Sequence, residues 1–156
     1  TTHCNLLERL GAVRDPAAYF AHRGWALGWG VGCAIGVKLA WPDRPVLAVL
    51  GDGSALFGVQ GLWTAARERL PVVFVVANNR RYRILDVCAA RLGLTDAPRG
   101  PGLALDEPAV DFVALARSLG VDAHPVADAD ELSDRVRAGL AGDRPVLLDA
   151  ALAPEG

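Results

Sequence analysis

Two short runs of β-branched and aliphatic residues organise the first half of the chain. Pro45–Leu50 (PVLAVL) and Pro71–Ala77 (PVVFVVA) are apolar without alternation, the pattern of strands covered on both faces. Between them, Ala55–Arg69 (ALFGVQGLWTAARER) sets Leu56, Val59, Leu62, Trp63 and Ala66 at helical spacing and is expected as one helix. Strand, helix, strand in that order is a βαβ crossover, hence a parallel pair. The second half repeats the theme. Asp111–Leu119 reads as a helix closed by Gly120, and Val121–Val126 as a short strand. Asp128 with Glu131 forms a capping pair that opens a helix to Ala141. Pro145–Leu152 (PVLLDAAL) is the last strand, and Thr95–Pro108, rich in Gly and Pro, is a loop. The pattern predicts a three-layer α/β/α doubly wound parallel sheet in a single domain spanning 1–156.

Composition narrows the function classes. A chain of 156 residues with 52% hydrophobic and 22% charged residues is globular rather than disordered. Its size supports a full core without disulfide or metal staples. The net charge of −2 gives no footprint for nucleic acid or an anionic membrane. All but one of the 16 basic residues are Arg, Lys38 being the exception, which reads as compositional bias. The longest uncharged apolar run, Trp25–Val37, has 13 residues including four glycines. A membrane span needs about 20, so this run is expected as a buried helix or turn. Cys4, Cys33 and Cys88 show no C-x-x-C spacing, which fits a reducing, cytoplasmic compartment. With His3, His22 and His124 they match no zinc pattern, and such cysteines are usually small buried hydrophobes. Trp29, Trp41 and Trp63 are expected as core or interface anchors. The chain has no Met and starts at Thr1, which suggests a trimmed or processed piece of something longer.

Ligands of doubly wound sheets sit at the carboxyl ends of the strands, which directs attention to the residues after Leu50 and Ala77. The first strand runs through Gly51-Asp52-Gly53-Ser54 directly into a helix, and the second ends in Asn78-Asn79. A glycine-rich turn opening a helix points free N–H groups at an anion. Gly53 lets the backbone approach a ligand, and Ser54 adds a hydroxyl. Asp52 and Asn79 would both present hard oxygens, of the kind Mg²⁺ takes alongside phosphate and water. Together these spell a Mg²⁺–diphosphate site; Asp52 alone would serve equally as a helix cap or phosphoacceptor. Gly28, Gly30, Gly32 and Gly36 do not make a dinucleotide fingerprint, because Tyr19–Arg23 is no buried strand. Close helix packing is the better reading for them.

Gly51-Asp52-Gly53, then 24 residues, then Asn78-Asn79 resembles the signature of thiamine-diphosphate-dependent enzymes. The chain is similar to their C-terminal, diphosphate-binding domain over nearly its whole length, with most likeness to the acetolactate synthase and benzoylformate decarboxylase group. The likeness is carried by Arg23–Val37 (RGWALGWGVGCAIGV), Asp52–Ala66 (DGSALFGVQGLWTAA), Asn78–Leu85 (NNRRYRIL) and Asp111–Val121 (DFVALARSLGV). It implies that thiamine diphosphate and Mg²⁺ are the cofactors. Asp52, the Asn79 side chain and the Arg81 carbonyl would bind the metal, and Gly51, Gly53 and Ser54 the diphosphate. Leu27 would wedge the two cofactor rings into a bent shape, beside Ala26, while the Trp25 carbonyl would accept from the aminopyrimidine. Tyr82, Arg83 and Ile84 would flank the cofactor.

The chain also departs from the family. Trp25 and Gly32 stand where relatives often have Gly and Pro, and Arg80, Arg81 and Arg83 replace small residues. Those arginines are read as solvated or facing a neighbouring domain, the sharper alternative being that one meets phosphate or an acidic substrate. The resemblance further implies a 2-oxo acid substrate and decarboxylase or carboligase chemistry, in a homodimer or homotetramer. The catalytic glutamate would come from a pyrimidine-binding domain of the same or another subunit, since none of Glu8, Glu68, Glu107, Glu131 or Glu155 has the matching context. By the same resemblance the sheet lacks the strand that the family has just upstream of Thr1-Thr2, and the chain alone would be inactive. A cofactor-binding paralogue without chemistry, and a receiver-like domain phosphorylated on Asp52, remain as alternatives.

Overall fold

Five consecutive covered residues, Val72–Val76, belong in the middle of a sheet packed on both faces, and that is where they lie. The computed structural model describes residues 13–21, 24, 26–94 and 102–152. Among these, four parallel strands form one sheet: β1 (Val46–Gly51), β2 (Val72–Asn78), β3 (Asp122–Val126) and β4 (Val146–Ala151), in the order β1-β2-β4-β3. Helices α1 (Trp29–Ala40), α2 (Asp52–Leu56), α3 (Gly61–Arg67), α4 (Arg83–Arg91), α5 (Phe112–Ser118) and α6 (Ala129–Leu140) complete the described elements.

The core splits into two halves separated by the sheet. On one side, Val31 and Ile35 of α1, Leu62 and Ala65 of α3, and Phe112 and Ala116 of α5 pack on Val46, Ala48, Leu50, Val72, Phe74 and Val76. On the other, Leu132, Val136 and Leu140 of α6 pack on Val73, Val75, Leu148 and Ala150. This is the three-layer α/β/α arrangement that the hydrophobic pattern predicts.

Several expectations are corrected. Pro45–Leu50 is not covered on both faces: Leu47 and Val49 remain 46% and 40% exposed. Among the described residues β1 is an edge strand, and the opposite layer, α6, packs mainly on β2 and β4. The single helix over Ala55–Arg69 is two, α2 and α3, joined by Phe57–Gln60. There the N–H groups of Phe57, Gly58 and Gly61 donate to carbonyls three residues back, the tighter turn that ends an α-helix. Close packing accounts for Gly30, whose added Cβ would meet Leu50, but Gly32 and Gly36 face open space. Of the core or interface positions expected for Trp29, Trp41 and Trp63, the core is ruled out by their exposure; Trp41 meets the Phe20 ring and the Arg44 guanidinium, and Trp63 meets that of Arg67. Cys33 is half-buried and Cys88 exposed, while Cys4 lies outside the described residues. Lys38 is buried, and its ammonium donates to the Arg44 carbonyl at 2.7 Å across the α1–β1 turn. Helix α4, absent from the sequence expectations, has neither a buried residue nor the side-chain cap that marks α6.

The C-terminal boundaries follow the sequence closely. Asp111 Oδ1 accepts the Ala114 N–H at 2.8 Å to open α5, and Gly120, at φ +85°, ends its run. At α6, Asp128 Oδ1 accepts the Glu131 N–H at 2.8 Å while Glu131 Oε2 accepts the Ala127 N–H at 3.0 Å. Asp128→Ala is therefore expected to cost about 1 kcal/mol in urea unfolding at neutral pH. The Ala127 N–H, and then Arg135, hold the Glu131 carboxyl below its ordinary value of 4.5. A lowered folded-state value means the contribution is complete above pH 4.5 and disappears as pH falls through the folded value. Glu131→Gln should flatten that acid limb of the stability profile.

Candidate functional site

β1 and β2 run parallel with Gly51 opposite Ala77, so both chains leave the sheet side by side. At the end of β1, α2 begins without an intervening loop, and Asp52 is carried in its first turn, only 3% exposed. Its Oδ1 accepts the Gly53 N–H at 2.8 Å and its Oδ2 the Arg81 N–H at 3.2 Å. At the end of β2, Asn79 Oδ1 accepts the same Arg81 N–H at 3.0 Å. One backbone donor thus gathers a buried carboxylate and a carboxamide oxygen. Among the described residues no cationic side chain hydrogen-bonds to or ion-pairs with Asp52. Burying an ionised carboxylate against neutral donors alone is costly, so the position suits a bound cation.

The loop beyond Asn79 is strapped down from a second side. The Leu105 N–H donates to the Arg80 carbonyl at 2.7 Å, the Tyr82 N–H donates to the Leu103 carbonyl at 2.9 Å, and Arg81 bridges Ala104. This draws the Tyr82 ring over Gly53, where an added Cβ would sit 2.5 Å from ring carbon Cε1. Glycine suits that position by proximity, not by backbone angle. Ser54 follows, half-buried, and Gly51 precedes at the strand end. Arg83 opens α4 and Ile84 lies in its first turn, both half-buried beside Tyr82.

The turn before α1 is tied to the same centre. Gly28 adopts φ +82°, a conformation that side-chain-bearing residues rarely take. A Cβ on Gly58 would lie 2.5 Å from the Gly28 carbonyl oxygen. The chain after α2 and the turn carrying Leu27 therefore touch backbone to backbone. Leu27 itself is exposed, Ala26 offers its carbonyl to the Trp29 N–H at 3.4 Å, and Trp25 lies outside the described residues.

Two of the three arginines separate. The Arg81 guanidinium is engaged by Asp86 through Nε and Nη2, which raises its pKa further, so this residue offers the site its backbone. Arg80 is exposed at φ +56°, the left-handed region again. Two polar residues were missed by sequence reasoning. Asn78 is buried, donating from Nδ2 to Asp149 Oδ1 at 3.0 Å and accepting the Arg80 N–H on Oδ1 at 3.1 Å. Asp149 is held above the ordinary carboxylate range first by burial, with Asp111 and Asp52 adding to it against Asn78 and Arg80. Its signal was visible as the lone charge in PVLLDAAL.

No three His, Cys, Asp or Glu side chains converge among the described residues, so the donors present do not form an all-protein metal cage. One carboxylate and one carboxamide oxygen at adjacent strand ends are a donor set that fits Mg²⁺ completed by phosphate and water oxygens.

Comparison with known proteins agrees with this geometry. Residues 2–150 match the family described as thiamine pyrophosphate enzyme, C-terminal TPP binding domain. The chain is 42% identical over 137 residues to benzoylformate decarboxylase of Pseudomonas aeruginosa, covering 88% of this chain and 25% of that one. It is 32% identical over 139 residues to the acetolactate synthase large subunit of Parasynechococcus marenigrum, covering 81% and 21%. Its fold is similar to that of the thiamine diphosphate-dependent 4-hydroxybenzoylformate decarboxylase of Rhodococcus jostii RHA1, with TM-score 0.74 and 37% identity over 83% of this chain and 24% of that one. The chain thus spans about a quarter of the length of these relatives.

Proposed function

We propose, since this chain belongs to the C-terminal TPP-binding domains of the thiamine pyrophosphate enzymes, that it anchors thiamine diphosphate through Mg²⁺ in a 2-oxo acid decarboxylase or carboligase. The observation that carries the reading is the Arg81 N–H held in common by Asp52 and Asn79. Those two oxygens and the Arg81 carbonyl would hold the metal. The carbonyl accepts the Arg83 N–H at 2.9 Å and has a second lone pair to give. Gly51, Gly53 and Ser54 would hold the diphosphate. Leu27 and Ala26 would carry the rings, with the Trp25 carbonyl, and Tyr82, Arg83 and Ile84 would flank them. When bound, the cofactor supplies an electron sink for cleavage beside a 2-oxo group.

The residues present account for binding and orientation. No glutamate takes part in the described site: Glu68 ends α3, Glu107 is exposed, and Glu131 caps α6. Following the family resemblance, the proposal places an activating acid on a pyrimidine-binding domain of the same or another subunit, in a homodimer or homotetramer. The phosphoacceptor alternative is less favoured, because both Asp52 oxygens are engaged by backbone N–H groups and the side chain is buried.

The test is a melting titration of the chain. With ligand at 100 times its Kd, about 2.7 kcal/mol of added stability corresponds to a rise of roughly 5–10 °C for this size. The rise should require thiamine diphosphate and Mg²⁺ together and reverse with chelator. A folded chain showing no rise at millimolar concentrations of both would overturn the reading.

A further inference from the structure

We propose that Asp149 is a positioning residue for the cofactor site, acting through Asn78 on the loop that presents Asn79 and Arg81. The inference rests on the cofactor reading above. Its basis is a chain of polar contacts that no binding role already assigned explains. β4 pairs with β2 so that Asp149 lies opposite Val76, close to the end of the sheet. Its carboxylate faces the buried Asn78 amide, with Asp111, Asp52 and Arg80 as the charged groups around it.

An ionised carboxylate only accepts hydrogen bonds, so it selects the NH₂ end of the Asn78 amide and turns the oxygen the other way. That oxygen accepts the Arg80 N–H at 3.1 Å. With the amide reversed, an NH₂ group would face the N–H, and the contact would be lost. The contact matters because Arg80 is a side-chain-bearing residue at φ +56°, a conformation such residues rarely adopt without support. The next peptide supplies the Arg81 N–H to Asp52 and Asn79. Asp149 thus holds the Asn78 amide, the amide holds the left-handed turn, and the turn aims the donor that gathers the two metal oxygens.

The test uses Asp149→Leu, which keeps bulk and removes the acceptor, and Asp149→Asn, which retains an acceptor oxygen. Without the acceptor the loop must be ordered at the moment of binding, so Asp149→Leu should raise the thiamine diphosphate Kd at fixed Mg²⁺ by about tenfold. Asp149→Asn should restore most of the affinity. Arg80→Gly in the Asp149→Leu background should also restore it, since glycine takes the left-handed turn without support. In the ligand-free chain, hydrogen exchange of the Arg80 amide should quicken in Asp149→Leu and stay slow in Asp149→Asn. A purely structural role for Asp149 would lower the melting temperature without being relieved by Arg80→Gly. Wild-type binding with Asp149→Leu unchanged, or a loss that Arg80→Gly leaves in place, overturns the positioning role alone. Wild-type chain that binds nothing overturns it together with the cofactor reading.

Discussion

Asp52→Ala is expected to erase the melting rise that thiamine diphosphate and Mg²⁺ produce together, while each ligand alone remains without effect as in the wild type. The metal is proposed to link the protein to the diphosphate, and Asp52 is the carboxylate among the three proposed protein donors. Removing it leaves Asn79 and a carbonyl, neutral oxygens too few and too weak to hold a hard dication. At the same concentrations about 2.7 kcal/mol of linkage should fall to nearly zero. The substitution also leaves the N–H groups of Gly53 and Arg81 without their acceptor, so some ligand-free stability is expected to be lost. Asp52→Asn separates the effects: its amide oxygen can still accept one of those N–H groups, yet it brings no charge to the metal. Differential scanning calorimetry with and without both ligands reads the two quantities independently. A full ligand-dependent rise in Asp52→Asn would sink the metal assignment.

Phe74→Ala is expected to cost about 3–5 kcal/mol, the largest effect of any core substitution considered. Phe74 is fully buried in β2, the strand paired on both edges by β1 and β4, and its ring lies in the half of the core shared by α1, α3 and α5. Domains of ordinary stability have only 5–15 kcal/mol in total, so the variant should unfold at a far lower urea midpoint. Leu47→Ala offers the contrast within the same sheet. Leu47 lies on the uncovered face of β1, and its truncation should stay within about 0.5 kcal/mol in the isolated chain. Equal costs at the two positions would contradict the layer arrangement.

The candidate site was legible to different depths at different residues. Asp52 and Asn79 could be placed together because each directly follows an apolar run, and parallel strands end on the same side. Gly53 was legible as a point of close approach, but what approaches it in the folded chain is the Tyr82 ring, brought by strapping to Leu103 and Leu105 that no spacing announces. Asn78 stood in plain view as half of the Asn78-Asn79 pair, yet its role depends on Asp149, 71 positions away. The arginines after it looked equivalent in sequence. Only the fold distinguishes Arg81, engaged by Asp86, from Arg80, exposed on a left-handed turn.

Local chemistry in the sequence was sufficient for the parallel α/β class, the cap at Asp128, the stop at Gly120 and the oxygen donors at the strand ends. Each of these depends on contacts within a few residues or on the burial demanded by an unbroken apolar run. The tertiary structure alone decided that, among the described residues, β1 is an edge with one face uncovered, that the helix after Ser54 breaks where Gly58 meets Gly28, and that Asp149 reaches Asn78. Those outcomes depend on which distant segments arrive beside a given residue, and strand order and interlayer contact set that after the local preferences have been satisfied.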